Sequence, residues 1–137
     1  DGGSNGSTDG YVAWCWSEIP GFSKFGKYKG NGNADGTYIH LGFRPAWIMV
    51  KRTSSTDSWL ILDNKRDTYN PATQTQAPQS NLQDNLNTGG IPTDFLSNGF
   101  KCRGSGGDYN GSGQTYIYMA FAEQPNATPF DTFSNAR

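Results

Sequence analysis

Thr115-Tyr116-Ile117-Tyr118-Met119-Ala120-Phe121-Ala122-Glu123 decides how this chain is read, because it alternates residue by residue and is written twice. Its near copy is Tyr11-Val12-Ala13-Trp14-Cys15-Trp16-Ser17-Glu18. Tyr11 and Tyr116 stand 105 residues apart, and so do Glu18 and Glu123. The likeness reaches back to Asn5-Gly6-Ser7 against Asn110-Gly111-Ser112 and forward to Pro20 against Pro125. Successive side chains of a strand point to opposite faces, so both copies are expected as β-strands. The bulkier rows, Val12, Trp14, Trp16 and Ile117, Met119, Phe121, are expected in the core. The small rows, Ala13/Cys15 and Ala120/Ala122, would let a neighbouring layer approach. A fixed repeat of this size suggests stacked or duplicated units.

Working outward, 137 residues make one domain, large enough to bury a core without covalent staples. Charged residues are 17%, against about 25% in an average globular chain. Eighteen glycines and 14% aromatics point to many short strands joined by tight turns rather than to helices or disorder. The net charge of -1 provides no general attraction to nucleic acid or to an anionic membrane. No apolar run reaches membrane-spanning length, and no stretch of the sequence is expected to act as a signal peptide. A start at Asp1 instead of Met is expected of a processed or excerpted chain. Cys15 and Cys102 read as two small, half-buried thiols; a disulfide would require an oxidising compartment and close Cβ atoms.

Residues 1–10 read as a linker or loop, 11–123 as the sandwich domain, and 124–137 as a polar carboxyl-terminal tail. Residues 22–29 read as an edge strand, guarded by its lysines. Residues 38–43 form a short strand, and 46–52 and 59–63 form a hairpin of two central strands. Residues 64–90 are a long polar connection, and connections of that length are often functional. Ser97-Asn98-Gly99 marks a hairpin between apolar runs. No segment has helical periodicity. The fold class expected is all-β: an antiparallel β-sandwich or jelly roll.

Several phrases carry a resemblance. They are Gly42-Phe43-Arg44-Pro45-Ala46-Trp47-Ile48-Met49-Val50-Lys51-Arg52, Trp59-Leu60-Ile61-Leu62-Asp63, Phe95-Leu96-Ser97-Asn98-Gly99-Phe100 and the final strand. In order and spacing they resemble a tandem domain of tailed-bacteriophage virion proteins, of the tail-fibre and tail-appendage type. The resemblance implies a concanavalin-like jelly-roll sandwich, often in tandem copies, whose units commonly close with a strand like residues 11–16. It also implies a virion location, and the ending Asn135-Ala136-Arg137 is similar to the carboxyl end of such proteins. It carries no assigned site residues.

Candidate chemistry is sparse. The two glutamates, Glu18 and Glu123, occupy equivalent repeat positions, and a glycosidase uses paired carboxylates; a shared strand-end role explains them more simply. Asn31-x-Asn33-x-Asp35-Gly36 resembles the opening of a calcium loop, with Asn31, Asn33 and Asp35 as candidate ligands. The closing carboxylate is missing, because position twelve is Gly42, and the same residues make an ordinary turn. No other cofactor is expected. His40, the single histidine, lacks the serine elbow of a hydrolase and reads as structural. Aromatics among polar loops suggest a carbohydrate surface, with Tyr28, Tyr69, Asn70, Asp108 and Tyr109 as candidates. Asn5, Asn110 and Asn126 lie in glycosylation sequons that turn chemistry also explains.

The function expected is therefore a non-enzymatic virion module. It would contribute to binding a host-surface glycan or protein, or else serve as a capsid-decoration or fibre-spacer unit with purely structural contacts. Its partners would be other virion proteins, with a homo-oligomer compatible and no nucleic acid or membrane insertion. A polysaccharide hydrolase using Glu18 and Glu123 is the third reading.

Overall fold

The computed structural model describes residues 10–78 and 91–124. Seven strands follow in chain order: β1 (Ser23–Lys29), β2 (Tyr38–His40), β3 (Pro45–Arg52), β4 (Leu60–Asp63), β5 (Thr93–Leu96), β6 (Gly99–Cys102) and β7 (Thr115–Ala122). They form two antiparallel sheets, ordered β1-β7-β3-β4 and β2-β6-β5. No helix occurs among the described residues. The molecule is an all-β antiparallel sandwich, as its turn-rich, aromatic sequence indicates.

The apolar layer lies between the sheets. Ile48, Val50, Leu60, Leu62, Tyr116, Tyr118 and Ala120 face it from one side, and Ile39, Phe95, Phe100 and Cys102 from the other. The Phe100 ring meets the rings of Tyr28 and Tyr118 edge-on across the gap, at centroid distances of 6.2 and 5.8 Å. Such edge-to-face pairs add to the gain from area burial alone.

β1 lies at the sheet edge and carries Lys24, Lys27 and Lys29, as its sequence indicates. β3 is central, between β7 and β4. β4 is not central: it ends its sheet, and its outer side is met by a bridge from Ile61 to Gln76. Ala72 in turn bridges Thr93 of β5. The connection after β4 is thus a strap that fastens the edge of one sheet to the edge of the other. Its apolar sequence marked β4 as buried, and the described part of the strap meets its outer side through the Ile61–Gln76 bridge.

The β5–β6 hairpin turns at Ser97-Asn98, with Leu96 opposite Gly99. Gly99 is needed for another reason than the turn. A methyl there would run into the carbonyl of Ile39, so its lack of a side chain lets β2 lie against β6.

The two copies of the repeated phrase separate. Residues 115–122 form β7, paired with β1 on one side and β3 on the other. Residues 11–18 carry no strand, and Val12, Trp14 and Trp16 are 75, 73 and 57% exposed. The expectation of a buried strand there is overturned. The facing of β7 is also the reverse of that expected: Tyr116, Tyr118 and Ala120 are buried, while Ile117, Met119 and Phe121 look outward. Of the inner tyrosines, Tyr116 finds backbone partners for its hydroxyl at the sheet end, Gly107 O and Gly111 N. The outer row is half covered by Phe22, Phe25 and Trp47, whose rings pack on Phe121 at 5.9, 6.1 and 5.7 Å. The cysteines differ from expectation as well: Cys102 is fully buried and Cys15 exposed, both as free thiols.

Candidate functional site

Three loops meet at one end of the sandwich: residues 30–37 after β1, 53–59 after β3, and 103–114 before β7. Asn110, fully buried, fastens the first to the third. Its Oδ1 accepts from Asn31 N at 3.1 Å. Its Nδ2 has Asn31 Oδ1, Asn33 O and Gly104 O within 3.0, 2.9 and 2.8 Å. Its backbone carbonyl accepts from Gly32 N at 2.7 Å. Arg52 fastens the second loop to the third, donating to Asp57 Oδ2 at 3.1 Å and Gln114 Oε1 at 2.9 Å. Ser54 Oγ donates to the same Gln114 oxygen at 3.0 Å.

Beneath the loops is a cluster of tyrosines. Tyr28 OH donates to Tyr109 O at 2.5 Å, and Tyr109 OH donates to Pro92 O at 3.1 Å. Tyr116 OH donates to Gly107 O and accepts from Gly111 N. The rings of Tyr28 and Tyr116 stack 5.1 Å apart. Burial, and then the neighbouring Cys102, holds the Tyr28 hydroxyl well above its ordinary value; burial also raises Tyr109 and Tyr116. The Cys102 thiol is pushed up to about 12 by burial. These groups are neutral scaffold, since a buried charge without a partner is costly.

That placement corrects two of the candidate ligand residues. Tyr28 and Tyr109 are buried, so their faces cannot stack on a sugar. Asp108, half-buried, shares their loop. Tyr69 and Asn70 stand apart on the strap. Tyr69 is 86% exposed, whereas the Asn70 amide is occupied: it accepts from Phe95 N at 2.9 Å and donates to Phe95 O at 3.0 Å. The five candidates therefore do not form one surface. A sequence shows that a tyrosine follows a polar loop, but not that a backbone carbonyl waits for its hydroxyl.

The cation-loop candidates do lie together, and turn chemistry accounts for them. Asn31 Oδ1 accepts from Asn33 N at 3.0 Å, Asn33 Oδ1 accepts from Asp35 N at 2.9 Å, and Asn31 Nδ2 donates to Asp35 O at 2.9 Å. The Lys101 ammonium, 2.5 Å from Asp35 Oδ1, holds that carboxyl below its ordinary value. Arg103 Nη1 lies 3.8 Å from the same oxygen. A cation would have to displace these contacts and face two positive charges. Among the described residues no group of three or more His, Cys, Asp or Glu side chains could hold a metal ion.

The second surface was missed by sequence reasoning. The outward face of the β1-β7-β3-β4 sheet holds an apolar groove of about 440 Å³, bordered by Trp16, Phe25, Met49, Trp59, Ile117 and Met119. The alternation of β7 signalled it, because that strand has two bulky rows and the core accepts one.

Residues 2–125 match a family described as a domain of unknown function, DUF7483. The chain belongs to the DUF7483 family. No curated protein and no solved structure matches it. In this DUF7483 domain the paired glutamates are spent unequally. Glu123 bonds Arg44 Nε at 2.8 Å and Lys65 Nζ at 3.4 Å, while Glu18 is exposed, its charge adding to the burial that raises the Tyr118 hydroxyl above its ordinary value. His40 is exposed on β2 of the DUF7483 fold. Its Nδ1 lies 3.2 Å from Tyr38 OH, which also donates to Asn98 Oδ1 at 2.8 Å. Of the three sequons, Asn110 is buried and bonded on both amide atoms; Asn5 and Asn126 lie outside the described residues.

Proposed function

We propose that this DUF7483 domain is a non-enzymatic module of a tailed-phage virion, of the tail-fibre or appendage type, that contributes to binding a host-surface glycan through its three-loop end. The observation that supports the reading most is the fastening of those loops by Asn110, Arg52 and Gln114. A recognition surface built of polar loops binds more tightly when its loops are already ordered, because less conformational entropy is lost on contact. The resemblance of the central phrases to phage virion domains supports the particle context, and with it the concanavalin-like jelly-roll reading. Neutral scaffold tyrosines and ion-paired carboxylates give no reason to add a catalytic role. The test is binding of the purified chain to a panel of bacterial envelope polysaccharides. Binding that is lost on Asp108→Ala or on Ser112→Trp, both on the third loop, supports the reading; no binding above an unrelated β-sandwich overturns it.

A second reading, a decoration or spacer module with contacts only to its own particle, is favoured by the exposed Trp14 and Ile117. Locating the domain in an intact particle distinguishes the two. Loops buried between virion proteins would support the structural role.

A further inference from the structure

We infer that the outward face of the β1-β7-β3-β4 sheet, with residues 11–22 beside it, is a self-association surface that pairs with a second copy of this chain. Ten large apolar side chains are prominently exposed among the described residues, and all but Tyr38 and Tyr69 lie on residues 11–22 or on this sheet face or its border. Monomeric proteins seldom leave so concentrated an apolar patch in water.

The choice of a second copy rests on self-complementarity. The chain carries both halves of a contact: a projecting ridge, Val12 and Trp14, and an apolar groove of about 440 Å³. The ridge repeats the pattern of the outward row of β7, which this sheet already packs against Phe25 and Trp47. A two-fold axis would seat each ridge in the other copy's groove, so one symmetric contact covers both exposed features. The charges agree. Lys27 projects from β1 opposite Ile117, and Glu18 closes the ridge; both are exposed, so the rim offers groups of both signs. A net charge of -1 sets up little repulsion between copies. The inference does not depend on the glycan reading, since the three-loop end is a separate surface.

Sedimentation velocity on the 137-residue chain, at concentrations up to the order of 100 μM, tests it. A concentration-dependent dimer is expected. Trp14→Glu and Ile117→Lys, both at positions already exposed, are each expected to raise the dissociation constant about tenfold or more. Lys27→Glu weakens the dimer, and adding Glu18→Lys restores it. Tyr69→Glu, exposed elsewhere, leaves it unchanged. Circular dichroism of each variant establishes that it is folded. The inference is overturned by a wild-type chain that stays monomeric, or by a dimer indifferent to Trp14→Glu and Ile117→Lys. A monomer whose tryptophan emission shifts on adding laurate also overturns it, and assigns the groove to an acyl chain.

Discussion

Asn110 holds Asn31 by both ends of its side-chain amide: Oδ1 accepts from the Asn31 backbone N–H at 3.1 Å, and Nδ2 lies 3.0 Å from the Asn31 side-chain oxygen. One buried side chain therefore reinforces the backbone bonds, Gly32 N to Asn110 O and Gly30 N to Gln114 O among them, that join two loops 79 residues apart. Asn110→Ala removes a fully buried amide that bonds Asn31 N, Asn31 Oδ1, Asn33 O and Gly104 O, and each such bond contributes about 0.5–1.5 kcal/mol. The expected loss is on the order of 3 kcal/mol, read as a lower urea midpoint with an unchanged slope. A loss below about 1 kcal/mol would show that water replaces the amide.

The repeated phrase gives a paired test. Trp14→Ala, at an exposed site, is expected to change stability by no more than about 0.5 kcal/mol. Tyr116→Phe removes a buried hydroxyl that bonds Gly107 O and Gly111 N and is expected to cost about 1–3 kcal/mol. Equal effects in thermal or urea unfolding would contradict the separation of the two copies.

Gly99→Ala is expected to destabilise by about 2 kcal/mol or more, because a methyl meets the Ile39 carbonyl and must push β2 from β6. Hydrogen exchange at Leu41 N–H, which donates to Asn98 O beside that contact, is expected to accelerate. Unchanged protection there would contradict the close approach.

Alkaline pH is expected to unfold the domain. The acids of the tyrosine cluster are held neutral in the fold, with Cys102 raised from an ordinary 9.0 to about 12. Their contribution is fully present below the unfolded-state values. Above pH 9.0 the unfolded chain releases the Cys102 proton while the fold retains it. Stability then falls by up to about 1.4 kcal/mol per pH unit for that group, until its folded value is reached. Tyr28, Tyr109 and Tyr116, all raised, add to the fall above their ordinary 10.0. Urea midpoints measured from neutral to alkaline pH check the sign; a midpoint constant to pH 11 would contradict it.

Calcium is expected to leave the thermal midpoint unchanged, since Asn31, Asn33 and Asp35 are spent on their own turn and Lys101 faces the carboxylate. Lys101→Gln is expected to return the Asp35 carboxyl toward its ordinary 3.8, read by carboxyl NMR titration. In the native chain the pair's contribution is present above that value and is lost as pH falls through the lowered one. A midpoint that rises with calcium would reinstate the cation loop.

The sequence by itself determined the class of fold, the edge position of β1, the β3–β4 and β5–β6 hairpins and the doubly paired role of β7 only as far as a strand. These are local matters: alternation, turn residues and guarding lysines act over a few neighbours. Only the tertiary structure decided which face of β7 is inside, because Tyr116, Tyr118 and Ala120 compete with Ile117, Met119 and Phe121, and hydropathy favours the wrong row. A backbone acceptor in the loop before β7 favours the inner place of Tyr116, and acceptors on other loops hold the hydroxyls of Tyr28 and Tyr109. The same physics withdrew Tyr28 and Tyr109 from the surface. It also divided two nearly identical phrases, since a strand needs flanking partners and in this sheet the place between β1 and β3 holds residues 115–122.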